Sequence, residues 1–91
     1  MSTPLSKELQ IKNLKGLHAR AAASFVKTAE KFDAEVVVER SGQEVSGHSI
    51  MGLMMLAAAK GTNIRVSVSG NQAAEALQAL SELVDNKFGE D

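Results

Sequence analysis

The chain has 91 residues, 44% of them hydrophobic and 23% charged, which is the composition of one small globular unit and not of a disordered segment. Ten Lys and Arg against eleven Asp and Glu leave a net charge of −1, so binding to nucleic acid through a basic surface is excluded. The absence of cysteine removes disulfides, zinc–thiolate sites and thiol catalysis together.

Three Phe with no Trp or Tyr give no platform for stacking bases, and the core must come from Ala, Val, Leu, Ile and Met. The longest apolar run, Ile50 to Ala59, is too short for a bilayer, which takes about 20 residues. The N-terminal Met1 to Glu8 carries no apolar stretch of the secretory kind, so a cytoplasmic chain is expected.

In chain order, residues 7–13 read as a strand, with Leu9 and Ile11 alternating against polar neighbours. Lys15-Gly16 breaks the chain. From Ala19 the pattern turns helical, with Ala22, Phe25, Val26, Ala29 and Phe32 at three- and four-residue steps. Residues 34–40 and Gln43 to Ser46 form a hairpin around Ser41-Gly42. A short helix runs from Ile50 to about Leu56, with Gly61 as its stop signal. Asn63 to Ser69 alternates Ile64, Val66 and Val68 against Arg65, Ser67 and Ser69, and reads as a strand. Gly70-Asn71 then opens a last helix with the stripe Ala73, Leu77, Leu80, Val84 and Phe88. The order βαββαβα predicts an α+β fold with helices on one face of a mainly antiparallel sheet, built as a single domain over residues 1–91. The other face of that sheet is expected to meet solvent.

His18 follows the Gly16 break and precedes a helix start, with Arg20 two residues on. The first helical turn, here roughly Ala19 to Ala22, exposes unpaired N–H groups and the positive end of the dipole, which suits an anion. A neutral ring nitrogen there can attack phosphorus, and Arg20 lies near enough to steady the phosphoryl oxygens. The small Ala19, Ala21, Ala22 and Ala23 leave room for a docking partner. The plainer alternative makes His18 a cap or a packing residue. A two-histidine metal site with His48 lacks a third ligand, so no metal is expected.

On the short helix, Leu53 and Leu56 share a core-facing side, which leaves Met51, Met54 and Met55 for another. Either these residues are all core, with Ser49 a plain N-cap, or the methionines form an adaptable docking patch. Ser49 can cap the helix and be phosphorylated as well, because a phosphate is electrostatically favoured at a helix N-terminus.

Gly16-Leu17-His18-Ala19-Arg20-Ala21-Ala22 resembles the active-site segment of the HPr phosphocarriers of the phosphoenolpyruvate-dependent phosphotransferase system. Gly47-His48-Ser49-Ile50-Met51-Gly52 is similar to that family's regulatory-serine segment, and spacing and element order agree over nearly the whole chain. The resemblance implies an open-faced β-sandwich, four antiparallel strands with three helices on one side. It implies that His18 takes a phosphoryl group from enzyme I on Nδ1 and passes it to a histidine of an enzyme IIA, with Arg20 steadying the group. No cofactor is implied, and the chain would be a carrier and not itself an enzyme. Ser49 would be the residue that HPr kinase/phosphorylase modifies, and Ala19, Ala21, Ile50, Met51 and Met54 would meet the partners. Ala21 stands where sugar-transport members usually have proline, and Met54-Met55-Leu56-Ala57-Ala58 with Lys60-Gly61-Thr62 resembles the nitrogen-related branch, NPr. His48 stands where lysine is common before the serine. The alternatives are a sugar-system HPr, or a regulatory binding module that works through Ser49 and the methionine patch without relaying phosphate.

Overall fold

The computed structural model describes residues 4–90; residues 1–3 and 91, which belong to the expected N-terminal reading and to the 1–91 domain span, lie outside them. Strands β1 (Leu5–Gln10), β2 (Glu35–Arg40), β3 (Gln43–Ser46) and β4 (Asn63–Ser69) form one antiparallel sheet in the order β1-β4-β2-β3. Helices α1 (Ala19–Ala29), α2 (Ile50–Met55) and α3 (Ala73–Asp85) complete the expected α+β open-faced sandwich. The alternation seen in the sequence decides which side of the sheet is covered. Leu9, Val36, Val38, Ile64, Val66 and Val68 are buried beneath Ala22, Phe25, Val26, Ala29, Leu53, Ala76, Leu80 and Val84 of the helices.

Two boundaries and one stop signal differ from the sequence reading. Strand β1 starts at Leu5, paired with Val68, and ends at Gln10, paired with Asn63. Ile11 stays buried beyond the strand because its N–H bonds the Thr62 carbonyl and its carbonyl accepts from Gly61. The second helix ends at Met55 with Leu56 as its C-cap, as expected, but Gly61 is not its stop. Ala57 takes a left-handed φ of 51° and ends the spiral, while Gly61 turns the chain into β4. In α3 the buried stripe is Ala76, Leu80, Ser81 and Val84, with Ala73 and Leu77 half-buried. Phe88 is buried, but from a 3-10 turn at Lys87–Gly89 in which Lys87 and Phe88 have φ of 58° and 56°. A reversal of the chain puts Phe88 in the core, not the helical repeat.

The uncovered sheet face carries a row of charges straight across the strands: Glu8 opposite Arg65, Arg65 opposite Glu39, and Glu39 opposite Glu44. The last pair sets like charges side by side, which weakens a sheet. Glu44→Lys is therefore expected to raise stability by about 0.5 kcal/mol, read as a higher urea midpoint at low salt that fades as salt screens the row.

Candidate functional site

The site begins with a turn. The Gly16 N–H bonds the Asn13 carbonyl at 3.2 Å, and the Asn13 side-chain amide returns a bond to the Gly16 carbonyl at 2.8 Å. Gly16 has φ of +68°, and a Cβ there would lie 2.4 Å from the Ala58 carbonyl oxygen, so only glycine fits. Leu17 is buried and its N–H bonds Ala58 at 2.9 Å, which lashes the turn to the segment after α2.

His18 follows as the N-cap residue of α1, with extended backbone and no side-chain bond to the helix. Its carbonyl accepts the Ala22 N–H at 2.8 Å. The open donors are therefore those of Ala19, Arg20 and Ala21, unpartnered among the described residues, and Ala22 drops out of the expected set. Ala19 and Arg20 are exposed. Ala21, expected at the docking face, is fully buried beside Ala22, because its position in the first turn points its methyl into the core; it offers a partner no side chain.

The His18 ring is half-buried, 28% exposed, and its Nε2 lies 2.5 Å from Glu90 Oε2. The other carboxylate oxygen, Oε1, accepts from Asn13 Nδ2 at 3.0 Å. Glu90 is 15% exposed. Its carboxyl is held below its ordinary value, most strongly by the Asn13 hydrogen bond. Burial pushes the other way, and the hydrogen bond and charge of His18 and the charge of Arg20 add to the lowering. Asn13 is completely buried, and its Oδ1 has no partner among the described residues. Arg20 lines one cleft with Leu14, Lys15, His18, Phe88 and Glu90.

A carboxyl whose folded value lies below its unfolded one stabilises the fold above the unfolded value, and that contribution fades as pH falls through the folded value. Carbon-detected titration of Glu90 should give a midpoint below 4.5, with its contact to Asn13 lost across the same acid range. Asn13→Ala should move that midpoint upward.

Sequence reasoning missed Glu90 and Asn13. Glu90 sits 72 positions from His18 and outside the repeat of α3, so no local pattern marks it. Asn13 carries a weak signal, as the first residue of an Asn-x-x-Gly turn.

The second feature is α2. Ser49 caps it, with Oγ accepting the Gly52 N–H at 2.9 Å. Leu53 and Leu56 are buried, and Ile50, Met51, Met54 and Met55 are 40%, 72%, 40% and 65% exposed. Leu14, at the His18 turn, is 69% exposed. The Arg40 guanidinium donates to the Leu56 carbonyl at 3.1 Å, satisfying a group at the helix C-terminus where a cation is favoured. His48 is exposed, and among the described residues no three His, Asp or Glu side chains gather as metal ligands. No helix among them is long and apolar enough to cross a membrane.

Comparison with known proteins agrees with this geometry. The family described as "PTS HPr component phosphorylation site" matches residues 5–86. The phosphocarrier protein HPr of Xylella fastidiosa (strain Temecula1) is 49% identical over 87 residues, covering 96% of this chain and 98% of its own. That of Pseudomonas aeruginosa is 51% identical over 84 residues, covering 91% and 93%. The crystal structure of HPr-C-His from Thermoanaerobacter tengcongensis superposes with a TM-score of 0.91 at 42% identity, covering 96% of this chain and 98% of that one. With the fold, the histidine turn and the serine-capped helix all in place, the chain belongs to the HPr family of phosphocarriers of the phosphotransferase system.

Proposed function

We propose that His18 is the phosphoryl acceptor and donor of this phosphocarrier, loaded by enzyme I and unloaded to a histidine of an enzyme IIA in the cytoplasm. One observation carries the reading: an N-cap imidazole whose Nδ1 has no partner among the described residues, beside three unpartnered first-turn N–H groups. In loading, the Nδ1 lone pair forms a bond to phosphorus as the bond from phosphorus to the donor nitrogen breaks, and the donor imidazole leaves with that electron pair. The open N–H groups and the Arg20 guanidinium then meet the phosphoryl oxygens, and the same contacts serve the reverse step. The chain is changed stoichiometrically and restored by its next partner, as a single domain over residues 1–91.

Ala19, Ile50, Met51 and Met54 form the proposed docking surface. Thioethers suit a carrier that must fit two partners in turn, because methionine adapts its shape at small cost. Such an interface is modest and releasable. The nitrogen-related branch is the preferred one, supported by Ala21 in place of the proline usual in sugar-transport members and by the Met54 to Thr62 segment. Ser49 is the proposed site for HPr kinase/phosphorylase; its Oγ already sits at a helix N-terminus.

The test is phosphate transfer from phosphoenolpyruvate through nitrogen-type or sugar-type enzyme I, read by intact mass. An acid-labile phosphoryl adduct is expected on the wild-type chain, formed faster with nitrogen-type enzyme I, and absent from His18→Ala. An adduct that persists in His18→Ala would remove His18 as the carrier. No adduct from either enzyme would leave the regulatory module acting through Ser49.

A further inference from the structure

We propose that Glu90 is a positioning residue that selects the tautomer of His18, keeping the ring proton on Nε2 so that the lone pair of Nδ1 is free to meet phosphorus. The inference rests on the carrier role of His18 and extends it to a residue 72 positions further along the chain.

An ionised carboxylate can only accept hydrogen bonds. Glu90 Oε2 faces Nε2 at 2.5 Å, so Nε2 must donate. A neutral imidazole has one N–H, and with that proton on Nε2 the lone pair falls to Nδ1. Nδ1 has no partner among the described residues. A glutamate carboxyl is ionised at neutral pH, as this role requires, and the Asn13 bond lowers its value further.

The carboxylate is itself held in place. Its Oε1 accepts from Asn13 Nδ2, whose other bond goes to the Gly16 carbonyl. Both of those partners are acceptors, so the Asn13 amide must present its NH2 group to them, and its orientation is settled by chemistry. Asn13 is fully buried and Glu90 is 15% exposed, which limits competition from water. A relay therefore runs from the Gly16 turn through Asn13 and Glu90 to the ring edge away from the attacking nitrogen. It resembles the way carboxylates orient histidine ligands and bases in other sites. The arrangement also suits the loaded state, because a ring phosphorylated on Nδ1 still offers Nε2–H to the same oxygen.

The decisive experiment combines ring nitrogen NMR with transfer kinetics on the wild-type chain, Glu90→Gln and Glu90→Ala. At alkaline pH the wild-type ring is expected as one tautomer, with Nε2 protonated and Nδ1 bare. Glutamine can offer either a donor or an acceptor and alanine neither, so both variants should show mixed tautomers. Loading by phosphorylated enzyme I should slow on the order of tenfold in both, with the half-saturating carrier concentration unchanged. A wild-type tautomer ratio equal to that of Glu90→Ala, or variants that load at the wild-type rate, would overturn the inference. The NMR arm needs no partner protein. If the wild-type chain takes no phosphate on His18, the carrier reading fails, and the NMR result still decides whether Glu90 sets the ring.

Discussion

Gly16→Ala is expected to lower stability by about 2–5 kcal/mol and to disable the histidine turn. The left-handed φ of +68° costs an alanine about 1–2 kcal/mol. The added Cβ would also lie 2.4 Å from the Ala58 carbonyl oxygen and 3.0 Å from the Ala59 Cα. Both are backbone atoms, so no side chain can swing aside. Relief requires the turn to lift from Ala58, which gives up the Leu17 bond at 2.9 Å and strands a buried donor, a further cost of about 1–3 kcal/mol. Domains of this size hold roughly 5–15 kcal/mol in total. Urea unfolding should show the loss in full, and phosphate acceptance should fall with it, because His18 hangs from the Gly16 carbonyl through its own N–H at 2.9 Å. Gly42→Ala is the control. Its φ is +83° with nothing within 4 Å, so it should cost only the backbone strain, about 1 kcal/mol.

Phe25→Ala is expected to cost about 3–5 kcal/mol through the cavity it leaves. Phe25 heads the largest fully buried side chains and lies in α1, whose apolar face closes over the sheet. Replacing its ring with a methyl group empties the layer between that helix and the strands, and β-sheet backbones on one side limit collapse into the gap. The small gain in helix propensity from alanine, about 0.5 kcal/mol, does not offset this. Phe32→Ala, half-buried just beyond the helix, should cost clearly less. Equal urea midpoints for the two variants would contradict the placement of Phe25 at the centre of the core.

The sequence made β4 and the β2–β3 hairpin legible because a half-buried sheet imposes strict alternation, and Ile64, Val66 and Val68 keep it without a break. The start of α1 was legible for a related reason: Phe25, Val26 and Ala29 can share one face only at helical spacing. Legibility ended where the backbone bends. Ala57 adopts a left-handed conformation that no propensity assigns to alanine, and Phe88 reaches the core by a turn that mimics a helical repeat. Ala21 looked like a gap in the surface because its smallness was visible and its direction was not. At the site, His18, Arg20 and the serine-capped helix were marked by local context. Glu90 was not, since its place depends on how the two ends of the fold meet.

That meeting has a consequence for synthesis. The bonds from Glu90 to Asn13 and to His18 bridge 77 and 72 positions. A ribosome delivers the histidine 72 residues before its carboxylate, so until Glu90 emerges the nascent chain holds an imidazole without its orienting partner. Docking of Glu90 completes the site, and a product cut short before it keeps the histidine turn but not the contact that fixes the ring.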